Sequence, residues 1–207
     1  MSRTLRDYGR FKRTSHVVVA CLLMAGCATS NELAGNAMAV LAPNAKVLAF
    51  VVEETTPMIE VIIPARGVSG RMARIALRAD VSEWRSAEGL GLRLKGGQII
   101  ATVGFGADLA IADAQGANEA LRQGAGTYQR TLHWVDGENH DIAELFACTM
   151  RSAQDQNHAN ERKLSETCNG QQTTFTNTFT VSVETGGLIR SEQWISRGLG
   201  YIRIDHY

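Results

Sequence analysis

Two histidines have the spacing best suited to metal binding. His133 and His140 flank the pair Asp136 and Gly137, and Asp141 follows directly. If a tight turn at that pair joins two strands, the two imidazole rings lie nearly opposite each other. A metal site, however, needs several imidazole, thiolate or carboxylate ligands to converge. Because residues beside turns are usually solvated, we predict no metal site.

Other groups suited to acid–base, nucleophilic or cofactor chemistry are few. Carboxylate pairs such as Glu53 with Glu54 lie beside predicted turns, where solvent surrounds them. The glycine pairs lack the third glycine of a dinucleotide-binding loop, and no Gly-x-Ser-x-Gly sequence occurs. We therefore predict no catalytic residue and no cofactor.

Three tryptophans, Trp84, Trp134 and Trp194, are candidates for binding a polysaccharide. Aromatic rings are large apolar surfaces on which the C–H faces of a sugar can pack, and their polar edge can form a hydrogen bond. Aromatic residues in strands are more often part of the core. Packing is therefore the favoured interpretation of the three residues, and sugar binding is the alternative.

The N-terminal segment is typical of a secretory signal. Several basic residues precede the apolar residues 17–25. As a helix, this segment would cover about half of the ~30 Å hydrocarbon core, too little to span it. Residues 23–27 (LMAGC) resemble the lipobox, the bacterial site at which a cysteine is acylated before cleavage. We predict a signal peptide at 1–26 and lipidation of Cys27; a plain signal with an incidental cysteine is the alternative.

The residues after Cys27 indicate where the anchored protein is retained. Ala28 stands where an Asp would favour the inner membrane under the general lipoprotein sorting rule. We therefore predict the periplasmic face of the outer membrane. Residues 27–44 are expected to form the lipidated cysteine and a tether with a short helix. Residues 45–207 are expected to form a single β-rich periplasmic domain, which needs no membrane-binding surface because the acyl chains supply the anchor.

Two further cysteines, Cys148 and Cys168, are candidates for a disulfide, because an exported protein folds in an oxidising compartment. A hairpin centred on His158 would place them opposite each other. Closing such a loop removes on the order of 3 kcal/mol of unfolded-state entropy in the chain-entropy model. Two free thiols are the alternative. A redox-catalytic cysteine is disfavoured because no C-x-x-C motif occurs.

From residue 46 onward the hydrophobic pattern has a period of two, which predicts strands. Apolar residues alternate with threonines at 174–183, and alternation recurs at 74–81 and 90–94. Hairpin-type turn pairs separate these segments, at 96–97, 136–137, 169–170 and 186–187.

A compact helical pattern occurs at 116–124, with Asn118 as a candidate cap. Since strand otherwise follows strand, we predict a mainly β domain. Its antiparallel sheet should fold into a barrel or a sandwich, with one or two short helices.

The charges cancel over the whole chain but not over its parts. Lys+Arg and Asp+Glu each number 21, and residues 1–27 hold five of the basic residues and one of the acidic ones. The remainder, with 16 basic and 20 acidic residues, therefore has a net charge of −4. Nucleic acid binding needs a basic face to neutralise phosphates, so it is disfavoured.

Several segments together resemble one known family. They are the lipobox at Cys27, GGQIIATVGFGADL (96–109), RTLHWVDG (130–137) and FTNTFTVSVETGGLIRSEQWISRGLGYIRI (175–204). The chain resembles the YjbF/GfcB family of capsule- and exopolysaccharide-associated lipoproteins from about residue 45 to its end. These positions are aromatic and turn residues, and no catalytic residue is implied.

The resemblance implies a lipid-anchored, β-rich protein that acts without catalysis in production or export of a surface polysaccharide. Its expected partners are the membrane, the polysaccharide and proteins of the export machinery. The alternative is a periplasmic carbohydrate-modifying enzyme with an unrecognised carboxylate pair. For the accessory role we expect Trp194→Ala to be more harmful than substitution of any single Asp or Glu, since the carboxylates are expected to be exposed.

Overall fold

The computed structural model describes residues 55–113, 115–135, 141–153 and 160–207. The predicted signal peptide, lipidation site and tether lie outside the described residues, as do His140 and the turn pair 136–137. The described residues form one compact unit. Within the described segments, no helix is long and apolar enough to cross a membrane.

The described residues form twelve strands, a single 3-10 turn at Pro64–Arg66 and one α-helix. The strands are β1 Met58–Ile63, β2 Val68–Arg78, β3 Val81–Arg85, β4 Gly91–Lys95, β5 Gln98–Val103, β6 Leu109–Ala112, β7 Gly126–Val135, β8 Asp141–Ser152, β9 Glu161–Asn169, β10 Thr174–Ser182, β11 Leu188–Ser196 and β12 Gly200–His206. The helix, α1, is Gln115–Gln123 and lies between β6 and β7.

All strand pairs are antiparallel, in the order β5-β4-β3-β2-β1-β12-β11-β10-β9-β8-β7-β6. Every ladder except β1–β12 joins strands that are consecutive in the chain. The two edge strands, β5 and β6, lie beside each other. The sheet is therefore a nearly closed barrel, which confirms the prediction of a mainly β, antiparallel fold with a short helix.

Side chains close the seam between β5 and β6. The Thr102 hydroxyl donates to the Asp108 carboxylate at 2.7 Å and accepts from the Leu109 amide at 2.9 Å. The same carboxylate accepts from the amides of Gly104 (2.9 Å) and Phe105 (3.1 Å). These bonds fix the β5–β6 turn and satisfy backbone groups that a ladder would otherwise pair.

The barrel interior contains two apolar clusters at different heights along the strands. The larger cluster includes Phe146 and Phe175. The smaller cluster includes Phe179 and the helix residues Ala120 and Leu121, so α1 closes part of one barrel end. Along β10 the buried residues alternate with outward threonines, as the sequence predicts.

Two local expectations are wrong. The alternating segment 74–81 is not one strand: β2 ends at Arg78, the chain turns at Ala79, which has a φ of 53°, and β3 follows. Ile75 and Leu77 face solvent because the β2–β3 ladder shifts register just before Ala76, and such a bulge exchanges the two faces of a strand.

The cap expected at Asn118 is the second error. That residue lies within α1, and the Asp113 carboxylate accepts from the Gln115 amide at the helix start. The Asp113 side chain, two residues before that amide, therefore provides the helix cap that the sequence predicts at Asn118.

Candidate functional site

Trp134 and Trp194 lie together at one end of the barrel. Their ring centroids are 5.7 Å apart in an edge-to-face arrangement. The Trp194 ring also stacks on Phe175, with centroids 4.7 Å apart and planes 13° apart. Both tryptophans are half-buried at the edge of the larger apolar cluster. Strand pairing has thus brought together two of the three tryptophans that the sequence singled out.

A β-bulge and two side-chain bonds fix these rings. The β11–β12 ladder shifts register between Trp194 and Ser196, and bulges commonly redirect a side chain at a barrel rim. The amide of Trp194 donates to the Asn177 side-chain oxygen at 2.7 Å. The indole N–H of Trp134 donates to the Ile195 carbonyl at 2.7 Å. Since its polar atom is occupied, Trp134 contributes chiefly an apolar surface.

A pocket of about 280 Å³ lies beside the two rings, and we call it the Trp cleft. Its apolar wall includes Val135 and Ile142, which are 53% and 48% exposed. Asp108, Glu144 and Arg197 line its polar side. This volume is close to the lower limit of the ~300–1,000 Å³ typical of small-molecule sites. The cleft therefore suits a single small unit.

The polar groups of the Trp cleft are bonded to the turn between β9 and β10. The Glu144 carboxylate accepts from the Gln172 amide at 2.9 Å. The Arg197 guanidinium donates to the Thr173 hydroxyl at 2.7 and 2.9 Å and to the Gln172 side-chain oxygen at 3.2 Å. The cleft thus has a preorganised polar rim, which sequence patterns did not identify.

The third tryptophan is in a different place. Trp84 is only 6% exposed and packs in the larger apolar cluster. Its indole N–H donates to the Ser82 hydroxyl at 2.8 Å, and the Arg74 guanidinium lies 6.0 Å from its ring centroid. The structure therefore does not place Trp84 in a common surface with Trp134 and Trp194.

The histidine pair lies only partly within the described residues. The Nδ1 atom of His133 is 3.2 Å from a carboxylate oxygen of Asp141, at an exposed position. In the β7–β8 register His133 is opposite Ala143. The structure thus gives His133 one acidic neighbour, and it does not describe His140.

Cys148 and Cys168 are joined by a disulfide inside the larger apolar cluster. The β8–β9 register places the two residues directly opposite each other, which is the pairing that symmetry about His158 predicts. The Glu166 carboxylate and the two sulfurs lie within 4.8 Å of one another. Because the sulfurs are bonded to each other, this group does not form a metal site.

Sequence reasoning missed a buried ion pair in the middle of the barrel. Arg130 and Glu166 are 4% and 0% exposed, and their side chains are 3.2 Å apart. The carboxylate also accepts from the Tyr128 hydroxyl and, at 2.6 Å, from the Asn177 side-chain NH2 group. We call these four residues the polar layer, because they separate the two apolar clusters.

In the polar layer the Glu166 carboxylate is the acceptor in every hydrogen bond that it forms. Burial, reinforced by the nearby Glu166 charge, raises the pKa of the Tyr128 hydroxyl far above its usual value. The hydroxyl therefore stays protonated and donates. Glu166 lies between Leu164 and Cys168 on the buried face of β9, and this position in the alternating pattern could have identified it as a buried charged residue. A charged residue on the buried face of a strand usually has a partner.

Comparisons with known proteins identify a family and a shared fold. Residues 42–206 match the family model described as group 4 capsule polysaccharide lipoprotein GfcB, YjbF. The crystal structure of the hypothetical lipoprotein YmcC from Escherichia coli K12 is similar, with a TM-score of 0.61 and 18% identity, over 82% of this chain and 92% of that chain. At this identity the likeness shows a shared fold. No curated protein matches the chain. Since the family model covers most of its length, the chain belongs to the GfcB/YjbF family of group 4 capsule polysaccharide lipoproteins.

Proposed function

We propose that this protein is a non-enzymatic accessory lipoprotein in the production or export of a capsular or extracellular polysaccharide. Membership of a lipoprotein family implies a lipid anchor. We assign the anchor to Cys27, the signal peptide to residues 1–26, the tether to 27–44 and the folded domain to 45–207. The protein is held at the periplasmic face of the outer membrane, where it meets the polysaccharide and the export machinery.

The observation that carries the proposal is the Trp cleft. Trp134 and Trp194 present apolar ring surface beside a rim of hydrogen-bonding groups from Glu144 and Arg197. Sugars combine apolar C–H faces with hydroxyl groups, so a cleft of this composition fits one sugar unit of a chain. The family name supports the choice of a polysaccharide as the ligand.

The bonding of the cleft carboxylates supports a binding role rather than catalysis. Asp108 accepts bonds from two backbone amides and a hydroxyl, and Glu144 accepts one from a backbone amide. Both carboxylates therefore hold turns in place. They also line the same cleft, which is the specific observation that favours the second candidate, a carbohydrate-modifying enzyme.

A deletion strain tests the accessory role. Removing the gene should reduce surface polysaccharide while intracellular precursor is still made. Complementation with the wild type should restore it, whereas Cys27→Ser should not, because an anchored domain meets a membrane-bound partner at a high effective concentration. Unchanged surface polysaccharide in the deletion strain would refute the proposal.

Point variants separate binding from catalysis. Trp134→Ala should lower polysaccharide output, whereas Asp108→Asn and Glu144→Gln should retain most of it. A matched control, Val183→Ala, changes a residue that is 62% exposed and should have no effect. If either carboxylate variant abolished output while folded and membrane-bound, the enzyme would be the better explanation.

A further inference from the structure

A second pocket lies at the barrel end opposite the Trp cleft. In an antiparallel barrel, successive turns alternate between the two ends. The Trp cleft adjoins the β5–β6, β9–β10 and β11–β12 turns, while the second pocket adjoins the β2–β3, β4–β5 and β10–β11 turns together with α1. Its volume is about 700 Å³, within the range typical of ligand sites. We call it the mouth pocket.

The mouth pocket has an apolar floor. The floor is formed by Trp84, Leu121 and Leu188, which contact the two interior clusters. The β4–β5 turn passes beside it, and a Cβ added at Gly97 would lie 2.8 Å from the Leu188 side chain. The wall of the pocket is therefore closely packed where it meets the core.

Two residues that line this pocket each have a buried polar atom with no partner among the described residues. These atoms are the side-chain oxygen of Asn118 and Nε2 of His206, and neither has a hydrogen bond within the described part of the chain. Burial lowers the pKa of His206, an effect that the nearby Asp205 charge opposes. The neutral ring can therefore either donate or accept. Buried polar atoms are rarely left unpaired in folded proteins, so each of these atoms has a hydrogen-bonding capacity that no described protein group uses.

The mouth pocket also contains an arginine that forms no ion pair with any described residue. Arg122 is paired with Glu119, and Asp80 lies 3.7 Å from Lys95. Over the residues described, Arg162 has neither a salt bridge nor a hydrogen bond. Its planar guanidinium matches carboxylate and phosphate groups, which it binds through two parallel bonds.

We propose that the mouth pocket binds an acidic sugar. Arg162 binds the carboxylate or phosphate group of the sugar. Asn118 and His206 form hydrogen bonds with the sugar hydroxyl groups, and the apolar face of the sugar packs on Trp84 and Leu188. The choice of a sugar rests on the proposed function, whereas the requirement for an anion comes from Arg162. The acid group has two sources, a uronic acid or a sugar phosphate, with the same recognition chemistry.

The three tryptophans allow the two pockets to be observed separately. Trp84 lines the mouth pocket, while Trp134 and Trp194 line the Trp cleft, so each indole signal reports on the pocket that its residue lines. In ¹⁵N-labelled full-length protein, titration with glucuronate or glucose 1-phosphate should shift the Trp84 indole signal saturably. Glucose and inorganic phosphate should not. The acid that binds more tightly identifies the source of the anion.

Variants locate the anion site. Arg162→Gln should weaken binding of the acidic sugar at least tenfold, and Arg162→Lys should weaken it less. The control Arg151→Gln removes an exposed arginine from the outer wall and should bind as the wild type does. Asn118→Leu fills the pocket and should also abolish binding, which provides an independent test.

Three results would overturn the proposal: no saturable shift with either acid, equal binding of glucose or inorganic phosphate, or unchanged affinity in folded Arg162→Gln. Failure here is distinguishable from failure of the proposed function. Binding at the mouth pocket is measured from the Trp84 indole signal in vitro, whereas the proposed function is tested by measuring surface polysaccharide in the deletion strain.

Discussion

At the Trp cleft, Arg197 and Glu144 bond to a neighbouring turn, and the Trp134 indole N–H bonds to a carbonyl. At the mouth pocket, Arg162 and the Asn118 side-chain oxygen have no such partner among the described residues. The same barrel thus uses polar side chains in two ways. In the functions proposed above, recognition depends on aromatic surface where these side chains are already paired, and on hydrogen bonds and charge where they are unpaired.

The largest expected effect comes from the polar layer, which lies between the two ends. Glu166→Gln removes the charge opposite Arg130 and leaves a buried guanidinium without a counterion. Loss of one partner of a buried pair costs about 3–5 kcal/mol. Chemical denaturation should show this loss, and the indole signals of both ends should change together.

A double variant provides the control for Glu166→Gln. Replacing the pair by Arg130→Met and Glu166→Leu removes both charges and should recover part of the lost stability. A decrease of under ~1 kcal/mol in Glu166→Gln would contradict the role assigned to the pair. The expectation that any single carboxylate matters less than Trp194 assumes exposed carboxylates, and this premise does not hold at Glu166, which is completely buried.

Removing the disulfide should have the next largest effect. Cys148→Ala combined with Cys168→Ala should lower the free energy of unfolding by about 3 kcal/mol, since the unfolded chain is no longer cross-linked. Hydrogen exchange should accelerate more in β8 and β9 than in α1, because the sulfurs lie in the larger cluster. Thiol alkylation of the native wild type should be absent at both cysteines. Ready labelling of either would contradict the pairing.

Trp194→Ala separates the two ends. The half-buried ring stacks on Phe175, so we expect a loss of about 2–3 kcal/mol, somewhat below that of a fully buried aromatic residue. Polysaccharide binding at the Trp cleft should be lost, while the Trp84 indole still responds to acidic sugar. A variant that loses both responses while remaining folded would show that the two pockets are coupled.

The same substitution, Asn to Leu, can be made at a paired and at an unpaired asparagine, which compares the two kinds of polar group directly. The Asn177 side chain donates to Glu166 and accepts from the Trp194 backbone amide, whereas the Asn118 side-chain oxygen is buried with no partner in the described part of the chain. Asn118→Leu should therefore raise stability by up to about 1 kcal/mol, and Asn177→Leu should lower it by about 1–3 kcal/mol. Thermal unfolding measures both. The opposite ranking would refute the assignment of unpaired atoms to the mouth pocket.

The smallest effect concerns pH. Burial lowers the pKa of His206 below that of the unfolded chain, where histidine titrates near 6.5. The unfolded state then binds more protons, so the contribution to stability is complete above about pH 6.5 and is lost as the pH falls toward the folded pKa. Denaturation at about pH 7.5 and about pH 5 measures the free energy of unfolding on both sides of the histidine titration. This free energy should fall less between the two pH values in His206→Gln than in the wild type. An identical decline would contradict this linkage.

Much of the fold could be predicted from the sequence because its signals are local. The alternation in β10 and the glycine pair at 96–97 each fix a strand or turn without distant information. The β2–β3 bulge could not be predicted in this way, since a register shift depends on the partner strand. The same reason applies to the site: Trp134 and Trp194 lie on β7 and β11, which are separated by three strands in the sheet, so their contact depends on the curvature of the barrel.

The pairing of β1 with β12 has a consequence for folding kinetics. Every other ladder joins consecutive strands, so it can form as a local hairpin with a small loop-closure entropy. The β1–β12 ladder, in which Ile59 is opposite His206, requires nearly the whole domain to be in place. Contacts of high sequence separation form slowly. We therefore expect β1 to pair with β12 late in folding, so that the barrel closes only after the residues of β12 are available.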